Sequence, residues 1–230
     1  MYKLVPSSNK PIIMNQAINI CKTTLESLVK FDIVTDVIKD VSFQPAGYLA
    51  VQYRADLPVT LGNLMSVSAT QEKPSFQFIS DPKLASVNED GYKAFAINKQ
   101  DLFTLVLTDP DAPSRADHKW SEYCHYVVAD IPLDTGITEP NEPQFVASKI
   151  GDQGNTLIPY MGPGPPKGTG QHRYIFLLYR QPTGVKSSSF TKINDRPNWG
   201  YGTPATGINK WSTENKLELL ATNFFFAENP

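Results

Sequence analysis

Two apolar runs that end on ionisable residues constrain this 230-residue chain most. Leu102-Phe-Thr-Leu-Val-Leu107 reads as a buried strand and runs straight into Thr108-Asp-Pro-Asp-Ala-Pro113. Tyr174-Ile-Phe-Leu-Leu-Tyr179 reads as a second buried strand. It starts where Gly162-Pro-Gly-Pro-Pro-Lys-Gly-Thr-Gly-Gln-His-Arg173 stops. Such strands need a sheet covered on both sides. Asp and His at their ends, beside rigid Pro/Gly loops, are what a small polar pocket at the edge of a β core requires.

A chain of this length can bury roughly 70% of the surface its unfolded form exposes, enough for one large β-rich domain. No Ser/Gly-rich linker or charge run divides it. Residues 1–13 are polar and aperiodic and read as a flexible tail, with Met14 opening a single domain over 14–230. The formal charge is −2 with a pI near 5.9. That balance gives no electrostatic footprint for nucleic acid or for an anionic membrane surface. Two cysteines, Cys21 and Cys124, make no disulfide framework. The sequence lacks a membrane-spanning apolar run and an apolar secretion signal, so a cytoplasmic protein is expected.

Gln16 to Phe31 places Ala17, Ile20, Cys21, Leu25, Leu28 and Val29 at helical spacing, predicting an amphipathic helix with Cys21 packed and inert. From Val41 the pattern turns to β. Leu49, Val51 and Tyr53 alternate, as do Phe76 and Phe78. Residues 80–100 read as a polar surface insertion. Further strands are expected at 102–108, 123–131 and 173–179. A short helix is expected from Ser212, as N-cap, to Ala221, before a final strand at 224–226.

Asp109 precedes Pro110 and is therefore held extended or in a turn. By spacing alone, Asp109 and Asp111 fit a proline-braced turn at least as well as a ligand site. As a strand, Tyr123-Cys-His-Tyr-Val127 puts Tyr123, His125 and Val127 on one face and Cys124 and Tyr126 on the other, so a Cys124–His125 nucleophile pair is not expected. His172 and Tyr174 share a face, while Arg173 points the opposite way towards an ion pair. The loop before them is no phosphate-binding P-loop, because the order is Lys167-Gly168-Thr169 and three prolines lack N–H groups. Only three histidines occur, without metal-ligand spacing, and no Gly-x-Ser-x-Gly elbow is present. Neither catalysis, a metal nor a cofactor is expected. A carboxylate beside two imidazoles should raise both histidine pKa values, giving a site for phosphate, sulfate or a carboxylate.

The Asp-Pro-Asp-Ala-Pro loop at 109–113 and the Gly162–Tyr174 block resemble the hallmarks of the phosphatidylethanolamine-binding protein family, and the resemblance extends from about Asp36 to Glu228. It implies a mainly β sandwich, with a large central sheet, a smaller sheet and peripheral helices near the termini. It also implies a pocket for a phosphorylated head group, formed by Asp109, Pro113, Tyr123, His125, Gly162, Gly164, Pro166, His172 and Tyr174. Asp111 would brace the loop. Where some relatives place a tyrosine over this pocket, Phe225 stands here and would remove one hydroxyl. Within the family the likeness is strongest to a branch that inhibits a serine carboxypeptidase of the carboxypeptidase Y type. Met14-Asn15-Gln16-Ala17-Ile18, Phe43-Gln-Pro45, His118-Lys-Trp-Ser-Glu122, Arg196-Pro-Asn-Trp-Gly200 through Gly207, and Asn223-Phe-Phe225 carry it. The implied protease contacts are Met14 to Ile18. Other branches regulate kinases or Ras GTPase-activating proteins, and vacuolar or membrane-associated locations accompany the cytoplasmic one.

Overall fold

The structure, a computed structural model, describes residues 21–80, 100–132, 146–150 and 153–230. The proposed protease-contact segment, most of the 80–100 insertion and the tail lie outside the described residues. Among the described residues ten strands form two sheets. The smaller has the order β2 (Leu57–Pro58), β1 (Tyr48–Arg54), β4 (Ser75–Ser80), β7 (Val146–Ile150). The larger has the order β3 (Asn63–Leu64), β10 (Glu218–Ala227), β9 (His172–Arg180), β5 (Leu102–Asp109), β6 (Tyr123–Pro132), β8 (Asn155–Ile158). All pairings are antiparallel except β10 with β3.

The larger sheet is central. One face packs on the smaller sheet, through Leu105, Leu107, Phe176, Leu178 and Phe225 against Leu49, Val51, Phe76 and Phe78. The other face packs on helices and C-terminal loops, through Val106, Ile175, Leu177, Phe224 and Phe226 against Leu28, Val37, Trp199, Ile208 and Trp211. Burial on both faces explains why β5 and β9 carry continuous apolar runs, whereas β1 alternates.

Residues 21–30 form helix α1, which buries Leu28 against that second face, also buries Cys21, and is followed by a short π-turn at Val34–Ile38. Burial pushes the Cys21 thiol up to about 11, as an inert core cysteine requires. Val29, assigned above to the apolar face, is 59% exposed.

The C-terminal elements differ from expectation. Helix α2 spans Ile208–Glu214, so Ser212 lies inside it and its hydroxyl bonds back to the Asn209 carbonyl. Glu214 closes the helix. The following residues extend as β10, because Leu219 and Ala221 pair with Tyr179 and Leu178 of β9. Tertiary pairing overrode a local helical pattern.

A second difference lies in β6. Leu107 pairs with Tyr126, but the next residue, Thr108, pairs with Cys124. His125 is the extra residue of a β-bulge, which resets the alternation. Cys124 and Val127 therefore join the helix-side core together, while Tyr126 joins the inter-sheet core. The expected grouping of Val127 with His125 is corrected by the bulge.

Arg173 sits on the helix side of β9 and is 1% exposed. Its Nε and Nη2 donate to both oxygens of Asp111 at 2.9 and 2.7 Å, and its Nη1 donates to Asp36 at 2.8 Å and to the Phe31 carbonyl at 2.9 Å. Asp111 also accepts the Arg173 backbone N–H at 2.9 Å. Asp111 thus braces the loop, and the guanidinium ties that loop to the end of α1. Replacing Arg173 with Met strands the Asp111 carboxylate in the interior. Urea unfolding of the R173M variant should show a loss of about 3–5 kcal/mol, partly regained in R173M/D111N, since removal of one partner leaves an uncompensated buried charge.

Candidate functional site

A cavity of about 180 Å³ opens where β5, β6 and β9 end. Asp109, Pro113, Tyr123, His125, Gly162, Gly164, Pro166, His172 and Tyr174 all line it. Three elements produce this convergence. Asp109 ends β5, Tyr123 and His125 begin β6, and His172 and Tyr174 begin β9 on its inter-sheet side.

The Asp109 carboxylate is the hub. Its Oδ1 accepts the Asp111 backbone N–H at 2.7 Å, and its Oδ2 accepts from His172 Nδ1 at 2.9 Å. The other His172 nitrogen, Nε2, meets the Thr169 hydroxyl at 2.9 Å, and that hydroxyl donates to the Pro166 carbonyl at 2.7 Å. Both ring nitrogens of His172 are thus engaged by protein. His172 is 1% exposed and positions Asp109 and the Pro166–Thr169 turn. Tyr174 is hydrogen-bonded to Asp109 and to the Gly164 N–H, and burial pushes its phenol up.

His125 is held differently. Its Nδ1 donates to the Met161 carbonyl at 2.9 Å, and the Met161 N–H donates back to the His125 carbonyl at 2.9 Å. This reciprocal pair fixes the tautomer and leaves Nε2 as the ring's remaining acceptor. Burial lowers the His125 pKa, and the nearby Asp109 charge only partly opposes it. The expectation of a raised value at His125 is therefore corrected, because desolvation outweighs the carboxylate's attraction. Arg196 reinforces the bulge by donating to the carbonyls of Cys124 and His125 at 3.0 and 3.1 Å.

The two glycines do different work. A Cβ on Gly162 would lie 2.8 Å from Thr70 O and Gln71 Cα, so this glycine permits close packing on the turn at Val67–Thr70. A Cβ on Gly164 would meet no protein atom within 4 Å. Its N–H is one backbone donor at the cavity.

Phe225 does not line the cavity. It is fully buried and stacks on Tyr174 at 5.3 Å, with Tyr53 edge-on at 5.7 Å. Its missing hydroxyl is therefore a matter of inter-sheet packing, which corrects the reading that placed it over the pocket.

Sequence reasoning missed Ala112, Trp120 and Met161, which also line the cavity. Trp120 and Met161 are 43% and 42% exposed and form an apolar lip. Trp120 stood inside the His118–Glu122 block but was not given a role. Asn198 holds that block in place, donating from its amide to the Lys119 and Ser121 carbonyls at 3.1 and 2.6 Å. Among the described residues no group of three or more His, Cys, Asp or Glu side chains could hold a metal ion. No described helix is long and apolar enough to cross a membrane.

The family model for phosphatidylethanolamine-binding protein matches residues 40–225. The chain is 52% identical over 218 residues to the carboxypeptidase Y inhibitor of Saccharomyces cerevisiae, covering 94% of this chain and 99% of that protein. A crystal structure of carboxypeptidase Y inhibitor complexed with its cognate proteinase matches with a TM-score of 0.83 at 52% identity, over 94% of this chain and 100% of that one. A phosphatidylethanolamine-binding protein from Plasmodium vivax matches with a TM-score of 0.63 at 22% identity, over 90% and 97% of the two chains, and shares the fold. With these sheets, this site and a family match over most of its length, the chain belongs to the phosphatidylethanolamine-binding protein family.

Proposed function

We propose that this chain inhibits a serine carboxypeptidase of the carboxypeptidase Y type and carries a separate pocket for a small anion. The inhibitory reading rests on one observation: 52% identity along nearly the whole length of an inhibitor known in complex with its proteinase. The segment offered to the protease is Met14-Asn15-Gln16-Ala17-Ile18, which thirteen residues precede. A carboxypeptidase cleft takes a chain end more readily than the middle of a chain, so the preceding residues should obstruct insertion.

The test compares the full-length chain with a form that begins at Met14, by inhibition constant against purified carboxypeptidase Y. The shorter form should inhibit about thirtyfold more strongly, the equivalent of one buried apolar anchor worth about 2 kcal/mol. Equal, strong inhibition by both would remove the need for a free end. Inhibition by neither would defeat the inhibitor reading and leave a head-group-binding regulator of a kinase or a Ras GTPase-activating protein.

The anion reading rests on His125, which lines the cavity with its Nδ1 held by the Met161 carbonyl and its Nε2 as the remaining ring acceptor. A neutral His125 offers no second N–H, so an anion at Nε2 must bring a proton with it. Its folded pKa lies below the ordinary histidine value, so the free protein is neutral there at pH 7. Binding should therefore strengthen as pH falls, by up to about tenfold per pH unit while the free ring is neutral. Sulfate is the cleaner probe, because it does not titrate in this range. NMR titration should move the His125 ring signals, and phosphorylethanolamine should compete. Gly164→Ala should keep the unfolding midpoint and weaken sulfate binding severalfold, because its methyl meets only open space in the protein. A pH-independent affinity, or sulfate that leaves the His125 ring unmoved, would count against the site.

A further inference from the structure

The loop that lines the cavity, residues 162–170, is short of donors, because Pro163, Pro165 and Pro166 carry no N–H. The Pro166 carbonyl is met within the loop, by Thr169. The carbonyls of Pro163 and Pro165 are met from elsewhere in the chain. Gln71 Nε2 donates to the Pro163 carbonyl at 2.9 Å, across 92 residues of sequence, and to the Val67 carbonyl at 2.8 Å. Asn229 Nδ2 donates to the Pro165 carbonyl at 3.4 Å, and the Asn229 carbonyl accepts the Gly168 N–H at 2.9 Å.

Gln71 bears on the cavity through the peptide it holds. The Pro163 carbonyl and the Gly164 N–H belong to one peptide unit. That unit is planar and trans, so its oxygen and its hydrogen point in opposite directions. Gln71 takes the oxygen on one side, and on the other side the hydrogen goes to the Tyr174 hydroxyl, which is in turn hydrogen-bonded to Asp109. The Gln71 amide, the Pro163–Gly164 peptide, the Tyr174 hydroxyl and the Asp109 carboxylate therefore form one line of hydrogen bonds, each donor directed towards the carboxylate. Neighbouring bonds in such a line polarise one another.

Gly164 itself does little to fix this peptide. Glycine takes backbone conformations closed to other residues, and a Cβ at this position would meet no protein atom within 4 Å, so the peptide has room to turn over. Gln71 is well anchored by contrast. It follows the turn at Val67–Thr70, where the Thr70 hydroxyl reaches back to the Ser66 and Val67 carbonyls and the Thr70 carbonyl accepts from the Tyr160 hydroxyl at 2.8 Å. A Cβ on Gly162 would stand 2.8 Å from the Gln71 Cα, so the turn and the loop abut. Both groups that the Gln71 amide nitrogen meets are carbonyl oxygens, which uses both of its hydrogens. The residue is exposed and serves no core.

We propose, on the anion reading of this pocket, that Gln71 is a positioning residue for it. By holding the Pro163 carbonyl, Gln71 keeps the Gly164 N–H and the Tyr174 hydroxyl turned to the side where an incoming anion meets them. Asn229 supplies an internal control. It holds the same loop, but its acceptor belongs to the Pro165–Pro166 peptide, which has no N–H to aim. Loss of the Asn229 amide loosens the loop and misdirects no donor.

The test uses sulfate and the full chain, with Gln71→Met, Gln71→Ala and Asn229→Ala. Met keeps the reach of Gln and removes the donor. Q71M and Q71A should bind sulfate about tenfold more weakly, the worth of one hydrogen bond to a charged group. Their unfolding midpoints should move by no more than about 2–4 °C. N229A should bind sulfate nearly as well as the unaltered chain. The rise of affinity with falling pH should keep its slope in Q71M, because His125 still takes up the proton. In sulfate-free protein the Gly164 amide should exchange faster in Q71M, since its hydrogen no longer rests on Tyr174. Equal sulfate affinity in Q71M and the unaltered chain, or unchanged Gly164 exchange, would overturn the role of Gln71. So would a flattened pH slope, which places the effect at His125, or an equal loss in N229A, which makes it a general loosening of the loop. An unaltered chain that binds no sulfate would overturn the anion reading instead, and Gly164 exchange would still decide whether Gln71 holds that peptide.

Discussion

Two neighbouring residues on β9 hold the functional end of the molecule together through two aspartates of one loop. His172 faces the inter-sheet side and takes Asp109, while Arg173 faces the helix side and takes Asp111. Pro110 lies between the aspartates, so the loop is clamped across the sheet from both faces. The cavity lined by Asp109, His125 and Tyr174 lies on the His172 side. Another, lined by Pro110, Ser121 and Glu122, lies on the Arg173 side. Both pairs are almost wholly buried, which makes their geometry obligatory: a carboxylate withdrawn from either partner would stand uncompensated in a low-dielectric interior.

Much of this was legible in the sequence because the relevant signals are local. Continuous apolar runs announced β5 and β9 as strands covered on both faces, and the period of two on β9 sent His172 and Arg173 apart. The nine residues that the family resemblance implied for the pocket all line one cavity. The outline of two sheets with helices at the periphery came from the same resemblance.

What stayed hidden depends on partners distant in sequence. The bulge at His125 is visible only once β6 is laid beside β5, where two residues must oppose one. Burial at His125 depends on the 159–162 segment and Arg196 closing over it, so counting neighbouring charges gave the wrong sign for its pKa. The stretch after Glu214 has a passable helical pattern, and only β9 makes it a strand. Trp120 and Met161 gave no signal of their own, because an isolated apolar residue in a loop does not show whether it faces core or cavity.

The position of β10 bears on how this protein comes into being. The final strand is interior to the larger sheet, between β3 and β9, and its phenylalanines enter both cores. Its parallel partner, β3, lies some 160 residues earlier in the chain, at Asn63 opposite Phe225. Without β10 the edge of β9 stays open and apolar, and Phe31, Phe176 and Leu49 lack the partners that Phe224, Phe225 and Asn223 supply. Closure of the larger sheet therefore waits on contacts of long sequence separation, which a folding chain reaches late.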